Sequence, residues 1–137
     1  MAKKSKRANP EYVAVNQVYL DEIREEDDTK LLSKGVMYKV LEEGEGESPE
    51  SLSSLVTVHY RGTLIFGQEF DSTYGDYPES FRLRDVIEGW QIALKAMRVG
   101  DKWKIYVPSS MGYGDKEEYY IPGGSTLIFE VELLSVN

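Results

Sequence analysis

VIEGWQIAL, residues 86–94, decides how the rest of the chain is read. Val86, Ile87, Trp90, Ala93, Leu94 and Met97 recur at the three- and four-residue steps that stack on one face of an α-helix. The stretches around it alternate with a period of two instead. LVTVHYRGTLI (55–65) sets Val56, Val58 and Tyr60 against Thr57, His59 and Arg61, the pattern of a strand with one face packed and one face wet. DKWKIYVP (101–108) repeats it with Trp103, Ile105 and Val107 before Pro108 closes the strand, and STLIFEVELLSV (125–136) repeats it with Leu127, Phe129, Val131 and Leu133. VMYKVLEEG (36–44) runs into the turn-prone EEGEGESPES. One helical segment among strands, with no βαβ rhythm, predicts an α+β domain in which an antiparallel sheet packs on a single helix. Gly89, a helix-weakening residue beside the bulky Trp90, admits two readings: tight packing, or a helix start that forms a pocket floor from Val86, Ile87 and Trp90.

Upstream, PEYVAVNQVYLDEIREED (10–27) carries Val13, Val18, Tyr19, Leu20 and Ile23 before an acidic run and predicts a short amphipathic helix. The turn formers of DDTKLLSKG place the domain boundary near Gly35, so residues 1–34 form an extension and residues 35–137 the domain. The basic cluster MAKKSKR reads as a solvated, mobile terminus. No apolar run follows it, so a cytoplasmic location is expected. No stretch reaches the roughly 20 apolar residues of a membrane span.

The residue inventory removes several chemistries. The chain has 137 residues, long enough to bury a core unaided, and no cysteine, so disulfides, zinc thiolates and cysteine nucleophiles are out. A net charge of -8 argues against nucleic acid as the main partner. His59 is the sole histidine and alternates away from the Tyr60 face, which favours a structural role. EEGEGE and DKEE offer only carboxylates in no calcium-loop pattern, so no metal is expected, and no phosphate-cradling or dinucleotide motif is present. What stands out is the supply of aromatics. Trp103 and Phe81 read as core, whereas Tyr60, Trp90 and Tyr113 have polar tips that need partners and suit the wall of a concave site.

Taken together, VTVHYRGTL, GQEFDSTY, VIEGWQIALKAMRVGDKWKIYVP, MGYGD and IPGGSTLIFEVELLSV resemble the FKBP family of peptidyl-prolyl cis/trans isomerases, in order and spacing, over about three quarters of the chain. The lead-in YLDEIREEDDTKLLSKGVMYKVLEEGEG is similar to that of the macrophage-infectivity-potentiator-like branch, without its long dimerisation helix. The resemblance implies a curved antiparallel sheet wrapped around one short helix, with a short helical N-terminal extension, and a proline pocket between sheet and helix. It implies catalytic roles for Tyr60, Asp71 and Tyr113. Substrate contacts fall to Phe70, Val86, Ile87, Trp90, Tyr120, Ile121 and Phe129, with Trp90 as floor and Ile121 in the flap. No cofactor is implied. The implied partners are proline-containing polypeptides, and macrolide inhibitors held weakly by an acidic, shortened flap. Glu79 stands after Pro78 where members often carry an aromatic, and STYGDYPES has no counterpart of the arginine that commonly pairs with the rim aspartate. Those two departures keep a second reading open, a peptide-binding or chaperone module with weak isomerase activity.

Overall fold

The computed structural model describes residues 7–137, so most of the basic cluster, residues 1–6, lies outside the described residues. Strand alternation becomes a seven-stranded antiparallel sheet: β1 (Lys30–Leu31), β2 (Met37–Glu42), β3 (Leu55–Thr63), β4 (Glu69–Ser72), β5 (Glu79–Arg82), β6 (Lys102–Val107) and β7 (Leu127–Val136). Their order is β1-β2-β6-β7-β3-β4, with β5 also on β3. The long strands form the middle, β7 pairing with β6 from Lys102↔Glu132 to Val107↔Leu127 and with β3 from Val56↔Val136 to Thr63↔Ile128. Register shifts at Val40/Glu42, Thr57/Val58 and Gly62/Thr63 add the local bends that let such a sheet curve.

The other edge of β3 is divided. β5 takes Leu55 to Val58 and β4 takes Arg61 to Thr63. In the gap, Thr73 stands in for a strand residue: its N–H donates to the Tyr60 carbonyl at 2.9 Å and its Oγ1 accepts from the Tyr60 N–H at 2.8 Å. Buried backbone groups at the junction are thereby paired. β4 therefore leaves β3 at a defined place, beside Tyr60.

Helix α2 (Glu88–Ala96) lies on the concave face, as the 86–97 periodicity predicts. Trp90, Ala93, Leu94 and Met97 meet Val56, Val58 and Tyr60 of β3, Ile105 and Val107 of β6, and Phe129, Val131 and Leu133 of β7 in one continuous core. Gly89 is explained by packing. A Cβ there would sit 2.5 Å from Val107 Cγ1, so only glycine lets the first turn of α2 touch β6 and bring Trp90 under the sheet.

Helix α1 (Pro10–Arg24) starts where expected, with Asn9 capping the Glu11 and Tyr12 N–H groups at 2.9 and 3.2 Å and Pro10 in the first turn. It folds back on the convex face, where Leu20 and Ile23 join Met37, Tyr106 and Ile128 in a second small core. The buried stripe is Asn16, Leu20 and Ile23, while Val13 and Val18 remain largely exposed, which corrects the apolar face drawn from the sequence. The sheet also begins earlier than the boundary at Gly35, because β1 pairs Lys30 with Tyr38. A two-residue strand is too short to show a period.

Candidate active site

Every second residue of β3 points to the concave side, which aims Val56, Val58 and Tyr60 inward and puts Gly62 last in that row. Without a side chain at Gly62, the rings of Phe70 from β4 and Phe129 from β7 close over the strand. A Cβ at position 62 would lie 2.6 Å from Phe70 Cζ and 3.0 Å from Phe129 Cε1. The two rings meet edge to face at 5.6 Å. Below them Trp90 stands edge-on to three rings, Tyr60 at 4.9 Å, Phe129 at 5.2 Å and Phe81 at 5.9 Å, the perpendicular arrangement that ring quadrupoles favour.

These walls enclose a cavity of about 290 Å³, closed by Asp71, Asp85, Val86, Ile87, Tyr113 and Tyr119. That is at the small end of ligand sites, roughly 300–1,000 Å³, and suits one ring-sized group. Trp90 is only 4% exposed, yet it lines this cavity and so forms a floor. Its Nε1 is buried with no hydrogen-bond partner among the described residues, an uncommon state for a buried donor.

The polar groups divide into those already used and those left over. The Tyr60 hydroxyl donates to Asp71 Oδ2 at 2.5 Å, and the Ser72 N–H donates to Asp71 Oδ1 at 2.9 Å. Burial, then this bond to Asp71, pushes the Tyr60 hydroxyl well above the ordinary phenol value, so its proton is committed to the carboxylate at neutral pH. Burial also raises Tyr113, which stays protonated, and among the described residues its hydroxyl has no partner. The Ile87 N–H, at the cap of α2, likewise has no acceptor among the described residues. Two donors without a partner among the described residues therefore belong to residues that line the cavity. Asp71 forms no ion pair among the described residues, in keeping with the missing arginine.

Eight of the ten residues expected at the site line this cavity. The other two do not line it. Tyr120 is 98% exposed, while Ile121 is 2% exposed and packs into the core. The flap side chain that reaches the cavity is Tyr119, stacked edge to face on Tyr113 at 5.6 Å. Tyr119 and Tyr120 both adopt left-handed φ values, 49° and 65°, so their side chains do not follow strand alternation. Phe81, read as core, is half-buried and forms part of the wall. Asp85 and Gly62 carried no periodic signal. His59 lies outside the cavity, its Nδ1 2.8 Å from Thr73 Oγ1 and its ring stacked on Tyr74 at 5.1 Å.

An antiparallel sheet packed on one short helix, with an aromatic box between them and two donors unpartnered among the described residues, defines the class of domain. Residues 46–134 match the family described as FKBP-type peptidyl-prolyl cis-trans isomerase, and the chain belongs to that family. It is 44% identical over 125 residues to FKBP-type peptidyl-prolyl cis-trans isomerase FkpA of Escherichia coli (strain K12), an alignment covering 90% of this chain and 46% of that protein. With Peptidyl-prolyl cis-trans isomerase Mip of Coxiella burnetii it shares 42% over 123 residues, covering 88% of this chain and 53% of that one. The chain thus spans about half the length of these curated relatives. A solved peptidyl-prolyl cis-trans isomerase from Pseudomonas syringae superposes with a TM-score of 0.88 at 30% identity, covering 98% of this chain and 99% of that one.

Proposed function

We propose that this protein accelerates cis/trans rotation about Xaa-Pro bonds in polypeptides, with the prolyl ring seated on Trp90. The observation that carries the reading is the pairing of a ring-sized aromatic box with two donors unpartnered among the described residues, the Ile87 N–H and the Tyr113 hydroxyl. Rotation about a peptide bond must cross about 18–20 kcal/mol because conjugation is lost at the perpendicular geometry. For Xaa-Pro the end states differ by only about 1 kcal/mol, but exchange takes tens to hundreds of seconds. A catalyst therefore has no bond to cleave and must only favour the twisted state.

Phe70, Phe129, Val86 and Trp90 strip water from the ring and its imide, which disfavours the charge-separated resonance form that water stabilises. The Tyr113 hydroxyl and the Ile87 N–H hold carbonyls on either side, so that the chain flanking the proline is restrained while the imide turns. Tyr60, tied to Asp71, keeps the carboxylate at the rim in one orientation. Macrolide binding belongs to the same proposal and is expected to be weak, since Tyr120 does not line the cavity and Ile121 is spent on the core.

Exchange NMR on short Xaa-Pro peptides, with and without the protein, tests the reading. Catalytic amounts should speed exchange many-fold, and Phe70→Ala should remove most of that gain. Binding without acceleration would sink the isomerase reading and leave a module that only holds proline segments.

A further inference from the structure

We propose that α1 is a brace for the loop that roofs the cavity, and that Asn16, outside the family match, is a positioning residue for isomerisation. This rests on the isomerase reading above. The loop runs from Gly112 to Thr126 and carries Tyr113 and Tyr119. Its two legs are joined where the Gly124 N–H donates to the Gly114 carbonyl at 2.9 Å. Whatever holds the second leg therefore also holds the residue next to Tyr113.

The N-terminal half of α1 grips that second leg. Asn16 Oδ1 accepts the Thr126 N–H at 2.8 Å, and Asn16 Nδ2 donates to the Tyr12 carbonyl of its own helix at 2.8 Å, so both ends of the amide are used. One step along, Ser125 Oγ donates its single proton to the Pro122 carbonyl at 2.6 Å, which leaves the Tyr12 hydroxyl to donate to Ser125 Oγ at 2.8 Å. Contact is close as well as polar: a Cβ on Gly124 would come within 2.5 Å of Val13 Cγ2. Ahead of the helix, Arg7 pairs with Lys116 in an isolated antiparallel bridge. Meanwhile Leu20 and Ile23 pin the C-terminal half of α1 to the sheet.

The chemistry of position 16 sets this apart from ordinary packing. Its neighbours on the buried stripe, Leu20 and Ile23, show that an apolar residue would suit that face. Instead a 2% exposed amide sits there, a group costly to bury unless fully bonded, and among the described residues its one hydrogen bond beyond the helix is to the Thr126 N–H at the base of the roof. A ligand meets a higher apparent dissociation constant in proportion as the competent arrangement of its site is less populated. Loosening the brace should therefore raise KM, and leave kcat little changed once a bound proline has gathered the loop around itself.

The experiment uses the full chain with Asn16→Ala and, as a milder variant that keeps the ring, Tyr12→Phe. Saturation kinetics on an Xaa-Pro peptide are read together with amide hydrogen exchange at Gly124 and Thr126. The expected result is faster exchange at those amides and a KM raised about three- to tenfold, with kcat within about twofold of the parent. Leu133→Ala, in the core of β7, should lower the melting temperature with KM unmoved. Should Asn16→Ala not fold, Tyr12→Phe carries the test alone. An unchanged KM despite faster loop exchange, unchanged loop exchange, or an equal rise in KM for Leu133→Ala at matched loss of melting temperature would each overturn the brace. If the parent fails to turn over, the isomerase reading falls instead, and hydrogen exchange with peptide affinity in place of KM still decides the brace.

Discussion

Gly62→Ala is the sharpest probe of the site, because it adds one methyl group and removes nothing. The new Cβ would lie 2.6 Å from Phe70 Cζ, 3.0 Å from Phe70 Cε1 and 3.0 Å from Phe129 Cε1. Carbon atoms prefer about 3.5–4.0 Å, so a ring must retreat by about 1 Å. Phe129 is 3% exposed and locked in the core, whereas Phe70 is half-buried on a four-residue strand, so Phe70 moves. Such overpacking costs about 1–3 kcal/mol. Gly62 does not have a positive φ, so alanine fits its backbone and regains about 0.4–1 kcal/mol through the unfolded chain. The net loss is about 1 kcal/mol, a fall of a few degrees in Tm. Turnover should suffer more, since a group misplaced by about 1 Å can cost up to about 100-fold. We expect kcat/KM to drop about ten- to hundredfold, about 1.4–2.7 kcal/mol of lost transition-state stabilisation. Exchange NMR at peptide concentrations below KM measures the change in kcat/KM, and urea unfolding measures the loss of stability. Phe70→Leu added to Gly62→Ala shortens the colliding side chain and should recover stability before activity. A folded Gly62→Ala protein with undiminished kcat/KM would refute the claim that these two rings set where the proline sits.

Three further outcomes follow from the same structure. Leu94, fully buried on α2 against the sheet, should cost about 2–5 kcal/mol when replaced by alanine, seen as a lower urea midpoint. Tyr106, its hydroxyl pushed up to about 12 chiefly by burial, keeps a proton that the unfolded chain releases near pH 10; its contribution is thus whole below about pH 10 and is lost as the pH climbs from about 10 to 12. Tyr106→Phe should flatten that decline by on the order of 2 kcal/mol, and an unaltered slope in urea titrations would contradict the assignment. Finally, Asp71 and Asp85 line the cavity without any lysine or arginine, and Glu79 and Glu118 bear on the Tyr60 and Tyr113 hydroxyls. Peptides with Lys beside the proline should therefore turn over several-fold faster than those with Glu at low salt, and the two should converge near 1 M salt, where the screening length is about 3 Å.

Much of this architecture was legible because burial leaves a period. Val56, Val58 and Tyr60, or Leu127, Phe129, Val131 and Leu133, alternate as a one-sided strand must, and Trp90, Ala93, Leu94 and Met97 step as a helix must. Short elements leave none, which is why β1, β4 and β5 carry no strand signal and Phe81 reads as core. At the site, the cavity-lining residues on long strands, short strands and loops alike were readable through resemblance to a family motif, whereas the tip of the flap was not. Two successive left-handed residues rotate Tyr119 in and Tyr120 out, and nothing in the pair Tyr-Tyr says which is which. Gly62 was missed for a related reason: its role is the absence of a side chain, visible only when Phe70 and Phe129 are seen crossing over it. Asn16 interrupts an apolar stripe and invites the reading that the stripe lies elsewhere, until its bond to Thr126 is found.

The uneven strand lengths carry a consequence for any encounter with unfolded chains. β3 and β7 have nine and ten residues, but the strands at the margins are short, two in β1 and four each in β4 and β5. A long bare margin would offer visiting polypeptides a row of open amides and carbonyls on which to add themselves as further strands, the first step toward aggregates. Here the borders are too brief to template such growth. On the isomerase reading proposed above, a client would dock by its proline, turn, and depart without being recruited into the architecture of its host.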